Sequence, residues 1–219
     1  MLLLLLLLLM LLLRCYVAAS DMLQVGCEHG PGGARDPGLT MPETKTHFYA
    51  WSIVSSPLTL SHNVNDPVMS AKVWPIISNK EALAVSEAYF GNSGTAFKQS
   101  DETVQLTDAH IEQCAKDEAK GLRTCEEHEK VLNAPVSQGF YKPLDWAGKK
   151  TAVLMLNADN ATSTQNFKFS DVPGLKCTKC HVRDIDAHKD LGVMSDKWSG
   201  SVEGHGCAFL LVTDAAEGY

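Results

Sequence analysis

The sequence predicts an α/β segment followed by an all-β antiparallel sandwich, with the division near residue 91. Helix-start signals and helical spacing of apolar residues occupy residues 40–90. After the Gly- and Ser-containing turn at 91–94, short apolar runs alternate with turn residues, which is typical of antiparallel strands. We therefore expect helices in the first half and strands over residues 91–219.

Composition excludes some classes of partner before any motif is considered. The chain has 219 residues, a net charge of −7 and 45% apolar residues, which is enough for a buried core. Lys and Arg are scattered among Asp and Glu, so there is no basic patch for nucleic acid and no polybasic membrane surface. We expect a globular protein without a nucleic-acid partner.

The N-terminus predicts a signal peptide over residues 1–20 and therefore a secreted protein. Residues 2–13 form a twelve-residue apolar run, which fits a signal-peptide core of ~7–15 residues and is shorter than the ~20 that span a bilayer. Val17 and Ala19 are compatible with cleavage after Ala19. Because Arg14 follows the run and no basic segment precedes it, an uncleaved anchor and an incorrect gene start remain alternatives.

Three helix starts are predicted between residues 40 and 90. They are Thr40 with Glu43 (a capping box), Asp66 with Pro67, and Ser78 with Glu81 (a second capping box). Met69, Val73, Ile76 and Ile77 have helical spacing and predict one buried face. Pro75 is expected to break or kink this helix.

Strand signals follow in the second half. Residues 151–156 form a continuous apolar run typical of a buried strand, 167–169 alternate, 172–174 read as a turn, and 208–212 predict another apolar strand. Residues 101–130 are rich in Asp, Glu and Lys, which favours a solvated acidic insertion with a short helix over a charged binding site.

The cysteines predict disulfides. Cleavage after Ala19 removes Cys15 and leaves six: Cys27, Cys114, Cys125, Cys177, Cys180 and Cys207. An even number in a secreted chain favours pairing. Cys114 and Cys125 flank an acidic stretch within this insertion and suit a local loop, but six cysteines allow fifteen connectivities.

Asn160 begins an Asn-Ala-Thr glycosylation sequence between two strand-like runs. In an exported protein such a sequence predicts a surface turn that carries a glycan.

Several segments in a fixed order carry a family resemblance. They are Asp21-Met22-Leu23-Gln24-Val25-Gly26, residues 43–51, 56–60, 74–85, 139–144, 182–192 and 201–206. Together they resemble the C-terminal portion of the melibiase-type α-galactosidases, glycoside hydrolase family 27, over residues 21–219.

The resemblance implies a fold and an activity. Residues 21–90 are similar to the last one or two βα units of a (β/α)8 TIM barrel, and residues 91–219 to the antiparallel β-sandwich behind it. The family hydrolyses terminal α-linked galactosides with retention, so the implied partner is an α-galactoside carbohydrate.

The same resemblance implies that this chain lacks its catalytic pair. A retaining glycosidase needs two carboxyl groups about 5–5.5 Å apart. The family carries both on barrel strands that precede the segment similar to Asp21. No apolar strand ending in Lys-x-Asp precedes Asp21, and Lys116-Asp117 lies in the acidic insertion. We expect no catalytic residue and no activity from this chain alone.

One edge of the sugar site is implied to remain. In the family the methionine of Asp-Met-Leu lines the galactose site, so Met22 is the candidate substrate-binding residue and Asp21 its neighbour. An alternative to the enzyme is a non-catalytic secreted sandwich module, or pseudoenzyme, that binds carbohydrate or a protein partner.

Residues 177–181 also match the c-type haem attachment pattern, with His181 as axial ligand. Because this pentapeptide leads into a strand-like segment, and because no second CxxC pair exists for zinc, a disulfide or a free thiol pair is favoured. We therefore expect no cofactor and no metal.

Polar residues of the predicted sandwich are interpreted as structural. Asp184, His188 and His205 lie where the family has no chemistry. Asp186 occupies a position where the family usually has Trp, so local packing there requires a partner for the carboxylate.

Two βα units do not close a barrel. They leave strand edges and an apolar helix face uncovered, which predicts aggregation, a homo-oligomer or protein partner, or a disordered N-terminal half.

Overall fold

The computed structural model describes residues 23–29, 38–106, 109–122, 124 and 132–217. Within these residues the chain forms four α-helices and ten β-strands. The helices are α1 (Met41–Ile53), α2 (Pro67–Ile77), α3 (Lys80–Glu87) and α4 (Ala109–Ala119). The strands are β1 (Thr95–Gln99), β2 (Thr103–Leu106), β3 (Leu132–Pro135), β4 (Ser137–Pro143), β5 (Lys150–Asn157), β6 (Ser163–Lys168), β7 (Lys179–Asp184), β8 (Lys189–Ser195), β9 (Lys197–Val202) and β10 (Cys207–Asp214).

Two of the three predicted helix starts are confirmed. Thr40 and Glu43 form a capping box at α1, and the Asp66 carboxylate caps α2. The predicted capping box at Ser78 is wrong, because Asn79 caps α3 by accepting from the backbone of Glu81 and Ala82.

Ser78 instead ends α2, where its hydroxyl donates to the Trp74 carbonyl at 2.6 Å. The helix continues through Pro75 to Ile77, so the proline does not end it. The predicted apolar face is confirmed, since Val73 and Ile76 are buried and Met69 and Ile77 pack against the same core.

The segment preceding α2 contains less strand than expected. Residues 56–60 form only an isolated parallel bridge, between Leu23 and Leu60. Leu23, α1, Leu60 and α2 follow one another along the chain, so two parallel-bridged positions are each followed by a helix.

The second half forms the expected antiparallel sandwich. A six-stranded sheet has the order β1-β4-β5-β10-β7-β8, and β6 pairs with β9 in a two-stranded sheet. All of these pairs are antiparallel. The predicted strands at 151–156 and 208–212 are β5 and β10, which pair in the middle of the large sheet.

The large sheet is covered on both faces. Side chains alternate along β5, so Leu154 faces the helices while Val153 and Met155 face β6 and β9. On the helical side, Leu154 shares one core with Phe48 and Trp51 of α1. The alternative of a disordered N-terminal half is wrong for α1, because its buried side chains complete this core.

The acidic insertion has regular structure. Strands β2 and β3 pair antiparallel, and α4 lies between them in sequence. Residues 118–122 are exposed, as predicted for a solvated segment. In the part of the chain that the structure describes, no helix has the length and apolar character needed to cross a bilayer.

Lys142 connects the sandwich to the helices. Its side chain is fully buried on β4, and Nζ donates to the Ser55 hydroxyl and to the carbonyls of Val85 and Ser86 at the end of α3. A cation at a helix C-terminus is favourable, while burial lowers the pKa of Lys142 to about 8.

Asp186 makes a second connection and finds the partners that its position requires. One carboxylate oxygen accepts from Lys45 Nζ at 2.7 Å, and the other accepts from the Tyr49 hydroxyl. Asn79 donates to the Ile185 carbonyl at 2.9 Å beside them. Burial and this carboxylate raise the pKa of Tyr49, so its hydroxyl remains a donor.

Asp186→Ala is expected to lower the free energy of unfolding by about 2 kcal/mol, because the buried Tyr49 hydroxyl loses a charged acceptor. Asp186→Asn is the matched control. It keeps an acceptor for Tyr49 and loses only an ion pair whose side chains are 35% and 30% exposed, so we expect a loss below about 1 kcal/mol. Urea unfolding measures both, and equal losses would contradict this assignment.

Candidate functional site

A cavity of about 270 Å³ opens where the chain leaves the Leu23–Leu60 bridge. The two segments that follow these parallel-bridged residues line it. Its polar lining is Glu28, His29, Ser61, His62, Asn63 and Asp66. Sites in α/β architectures form at the carboxyl ends of parallel strands, so this cavity is the candidate site.

Two hydrogen bonds to the backbone of Leu23 and Thr59 hold the two segments together. Leu23 N donates to the Thr59 carbonyl at 2.8 Å, and the Ser61 hydroxyl donates to the Leu23 carbonyl. Gly26 has φ +79°, and a Cβ built there would lie 3.0 Å from the His62 ring. Glycine is therefore required at this approach.

The cavity offers hydrogen-bonding groups of different kinds. Asp66 is occupied as the cap of α2, accepting from Val68 N at 2.9 Å and Met69 N at 3.1 Å. Glu28 is exposed to solvent. His62 is only 9% exposed, and its Nδ1 has no partner among the described residues. These groups are suited to binding hydroxyls, and Asp66 is held in a structural role.

The two residues predicted to contact substrate, Asp21 and Met22, lie outside the described residues. Their role therefore stays a prediction. Leu23, the next residue, is fully buried and bridged to Leu60.

His47 on α1 contacts the segment that follows Leu23, and we did not predict a role for it from the sequence. Its Nε2 accepts from Gln24 N at 3.1 Å, and its ring lies 4.1 Å from the Trp51 ring. Burial lowers the pKa of His47 to about 4, so the neutral ring is the acceptor. A histidine within an apolar helix face was the available signal.

The structure gives Asp184, His188 and His205 structural contacts. Asp184 accepts from Ala187 N at 2.9 Å within a turn, and His205 contacts Asn160 at 2.7 Å. His188 Nδ1 lies 2.8 Å from Glu81.

Glu81 also joins the helices to the sandwich. Both of its carboxylate oxygens accept from the Arg183 guanidinium, at 2.7 and 2.8 Å. This fork, together with His188, lowers the pKa of Glu81.

The cysteine predictions have mixed outcomes. Cys177 and Cys180 form a disulfide, so neither sulfur is available for a haem thioether. Cys114 is disulfide-bonded, while its predicted partner Cys125 lies outside the described residues. The prediction is wrong for Cys27 and Cys207, which are free thiols.

The two free thiols lie in different surroundings. Cys27 Sγ contacts the Ser61 hydroxyl at 3.4 Å at the cavity. Cys207 begins β10, and burial raises the pKa of its thiol to about 12. A raised pKa keeps the Cys207 thiol protonated at neutral pH.

Comparison with known sequences finds a family match within the sandwich. Residues 138–212 match the family described as alpha galactosidase C-terminal beta sandwich domain. The chain is 28% identical over 196 residues to Alpha-galactosidase 3 of Arabidopsis thaliana, covering 84% of this chain and 36% of that protein. It is 27% identical over 202 residues to Probable alpha-galactosidase B of Penicillium simplicissimum, covering 89% and 37%. The chain thus spans just over a third of these relatives.

Solved structures share the fold. Alpha-galactosidase I from Mortierella vinacea superposes with a TM-score of 0.60 at 22% identity, covering 90% of this chain and 39% of that one. A GH27 β-L-arabinopyranosidase from Geobacillus stearothermophilus gives a TM-score of 0.64 at 17% identity, covering 90% and 37%.

The sequence match and the structural matches cover corresponding parts of the fold. The family domain corresponds to strands β4 to β10, and the structural likeness extends through the helices that pack on them. Residues 138–212 therefore form a sandwich domain of the α-galactosidase C-terminal type, and the chain resembles the C-terminal portion of the melibiase-type α-galactosidases of glycoside hydrolase family 27.

Proposed function

We propose that this chain carries the C-terminal part of a retaining α-galactosidase that acts on terminal α-linked galactosides, and that these 219 residues alone do not hydrolyse substrate. The observation that carries the proposal is the match of residues 138–212 to the family sandwich domain, together with the single hydrophobic core that this domain shares with helices α1, α2 and α3.

The contacts of four carboxylates near the helices support inactivity. Glu43, Asp66, Glu81 and Asp186 cap helices or form ion pairs, while Glu28 at the cavity is exposed to solvent. Hydrolysis with retention requires one carboxylate free to attack the anomeric carbon and one acid free to protonate the leaving oxygen. Groups held in these structural contacts are poorly suited to either role.

The outer surface around α2 supports a partner that completes the site. Val68 and Trp74 lie on this helix, and their side chains are 78% and 62% exposed. Val64, in the preceding turn, is 65% exposed. We infer that these exposed apolar side chains contribute to an interface, since apolar surface left in solvent marks interaction sites when it is extensive. We propose that further barrel units, on the same or another polypeptide, cover it and supply the catalytic pair.

The test is a turnover assay of the purified full chain on p-nitrophenyl α-galactoside and on p-nitrophenyl β-L-arabinopyranoside, with an active α-galactosidase as positive control. We expect release of p-nitrophenol at the buffer rate. Turnover that co-purifies with the chain on either substrate would contradict inactivity.

A second candidate is a non-catalytic sandwich that binds carbohydrate, and Trp146 favours it. This side chain is 77% exposed on the β4–β5 hairpin, while Phe90 packs edge-on against its ring at 5.7 Å. A rigid aromatic ring held in solvent is a typical binding anchor. Titration with galactose while monitoring tryptophan fluorescence tests this, and a response that persists in Trp146→Ala would contradict it.

A further inference from the structure

Asn160 lies on the exposed turn between β5 and β6. Its Asn-Ala-Thr sequence is the only Asn-X-Ser/Thr sequence in the chain. We propose that Asn160 carries an N-linked oligosaccharide and that His205 fixes the root of this glycan where the sandwich contacts helix α1.

The side-chain oxygen and nitrogen of Asn160 have different surroundings. Its Oδ1 accepts from His205 Nε2 at 2.7 Å, and its backbone N donates to the Asp159 carboxylate at 2.7 Å. Among the described residues, Nδ2 donates to no acceptor. The oxygen is therefore held while the nitrogen that would carry the sugar is available. Ala161 and Thr162 are exposed beside it.

The turn itself is held firmly. Asn157 Nδ2 donates to the carbonyls of Ala161 at 2.8 Å, Val202 at 3.1 Å and Glu203 at 3.1 Å. A Cβ built on Gly204 would lie 2.1 Å from the Asn160 carbonyl oxygen, so only glycine permits this approach. Residues 157–162 and 203–206 thus form one unit.

This unit contacts the helices. The His205 carbonyl accepts from the Thr46 hydroxyl of α1 at 3.0 Å. A glycan rooted at Asn160 therefore lies close to the junction between the sandwich and α1.

Exposure to an oxidising compartment has independent support. Cys177 and Cys180 are joined in a disulfide, which is typical of exported proteins. The apolar run at residues 2–13 predicts export by a separate signal.

The chemistry requires an oligosaccharide donor linked through diphosphate to a lipid. Asn160 Nδ2 forms the new bond to the anomeric carbon of the donor sugar. The bond from that carbon to the diphosphate oxygen breaks, the lipid diphosphate leaves with the electron pair, and one amide proton is released.

The test is expression of the full chain in a eukaryotic secretory host, followed by treatment with a peptide N-glycosidase in heavy-oxygen water. This enzyme releases an N-linked glycan and converts the asparagine to aspartate. We expect a mobility shift on treatment and an Asn160→Asp conversion that carries one heavy oxygen. Thr162→Ser should keep the shift. The substitutions Thr162→Ala and Asn160→Asp should both abolish the mobility shift. The substitution Asn160→Asp is the matched control, because aspartate keeps an oxygen acceptor for His205. A secreted wild-type chain without a shift would overturn the proposal.

The role of His205 is tested with His205→Asn, because asparagine tolerates the left-handed φ of +56° but is too short to replace the ring contact. We expect unchanged glycan occupancy and at least tenfold faster amide hydrogen exchange at residues 157–162. Unchanged exchange would show that His205 does not fix the glycan root. Neither measurement depends on enzymatic activity.

Discussion

Replacing Trp51 with alanine is expected to lower the free energy of unfolding by about 4 kcal/mol, because the change removes a large, fully buried ring from a close-packed core. Trp51 lies in the cluster that α1 shares with Leu154 and Phe209 of the large sheet. The ring also supports His47 at 4.1 Å. In a chain of this length the melting temperature should fall by about 10 °C.

Trp146→Ala is the matched control for Trp51→Ala. The same number of atoms is deleted, but Trp146 is 77% exposed, so its loss should change stability by less than about 0.5 kcal/mol. Thermal and urea unfolding of both variants provide the measurement. Similar losses at the two sites would show that the helical side of the core does not contribute to global stability.

Acidification is expected to destabilise the protein through His47. Burial lowers the pKa of His47 to about 4, against an ordinary value of 6.5. Between these values the unfolded chain binds more protons at this site than the folded one, so stability falls as the pH falls. The contribution is complete above pH 6.5, and about 3 kcal/mol is lost as the pH falls to 4.

His47→Gln isolates this effect. Glutamine keeps an acceptor for Gln24 N but does not titrate, so the difference in unfolding free energy between wild type and variant should shrink or reverse from pH 7 to pH 4. Urea unfolding at intervals of half a pH unit measures it. A constant difference across this range would contradict the assignment of a neutral, buried His47.

Local signals explain why part of the fold is predictable. Thr40 and Glu43 form their capping box entirely within four residues, and the apolar run at 151–156 needs only burial on both faces to become β5. These elements depend on side chains close in sequence, and pattern reasoning finds them.

The contacts of Asn79 and Lys142, which the sequence did not predict, depend on residues far away in the chain. Asn79 replaces Ser78 as the cap of α3, and its amide also reaches the Ile185 carbonyl, 106 residues away. Lys142 is buried because Ser55 and the end of α3 supply acceptors. A lysine in a strand predicts an exposed position, since lysine is almost never fully buried.

The predicted site residues Asp21 and Met22 lie outside the described residues, and the candidate cavity is lined by other residues. The resemblance indicated Asp21 and Met22, but it gave no sign of His47 or His62. His47 is identified by a backbone contact to Gln24, 23 residues away. His62 is identified by the close approach of Gly26. Both relations arise from the parallel pairing of segments far apart in sequence.

Helix α1 shares one hydrophobic core with the sandwich, so we expect the two to unfold as one cooperative unit. Native-state hydrogen exchange against urea tests it most directly, in the unmodified chain. We predict that the most protected amides of α1 exchange with the same free energy and the same urea dependence as those of β5 and β10. If α1 instead opens separately, at a free energy well below that of the strands, the helices are only an attachment to the sandwich and the claim is contradicted.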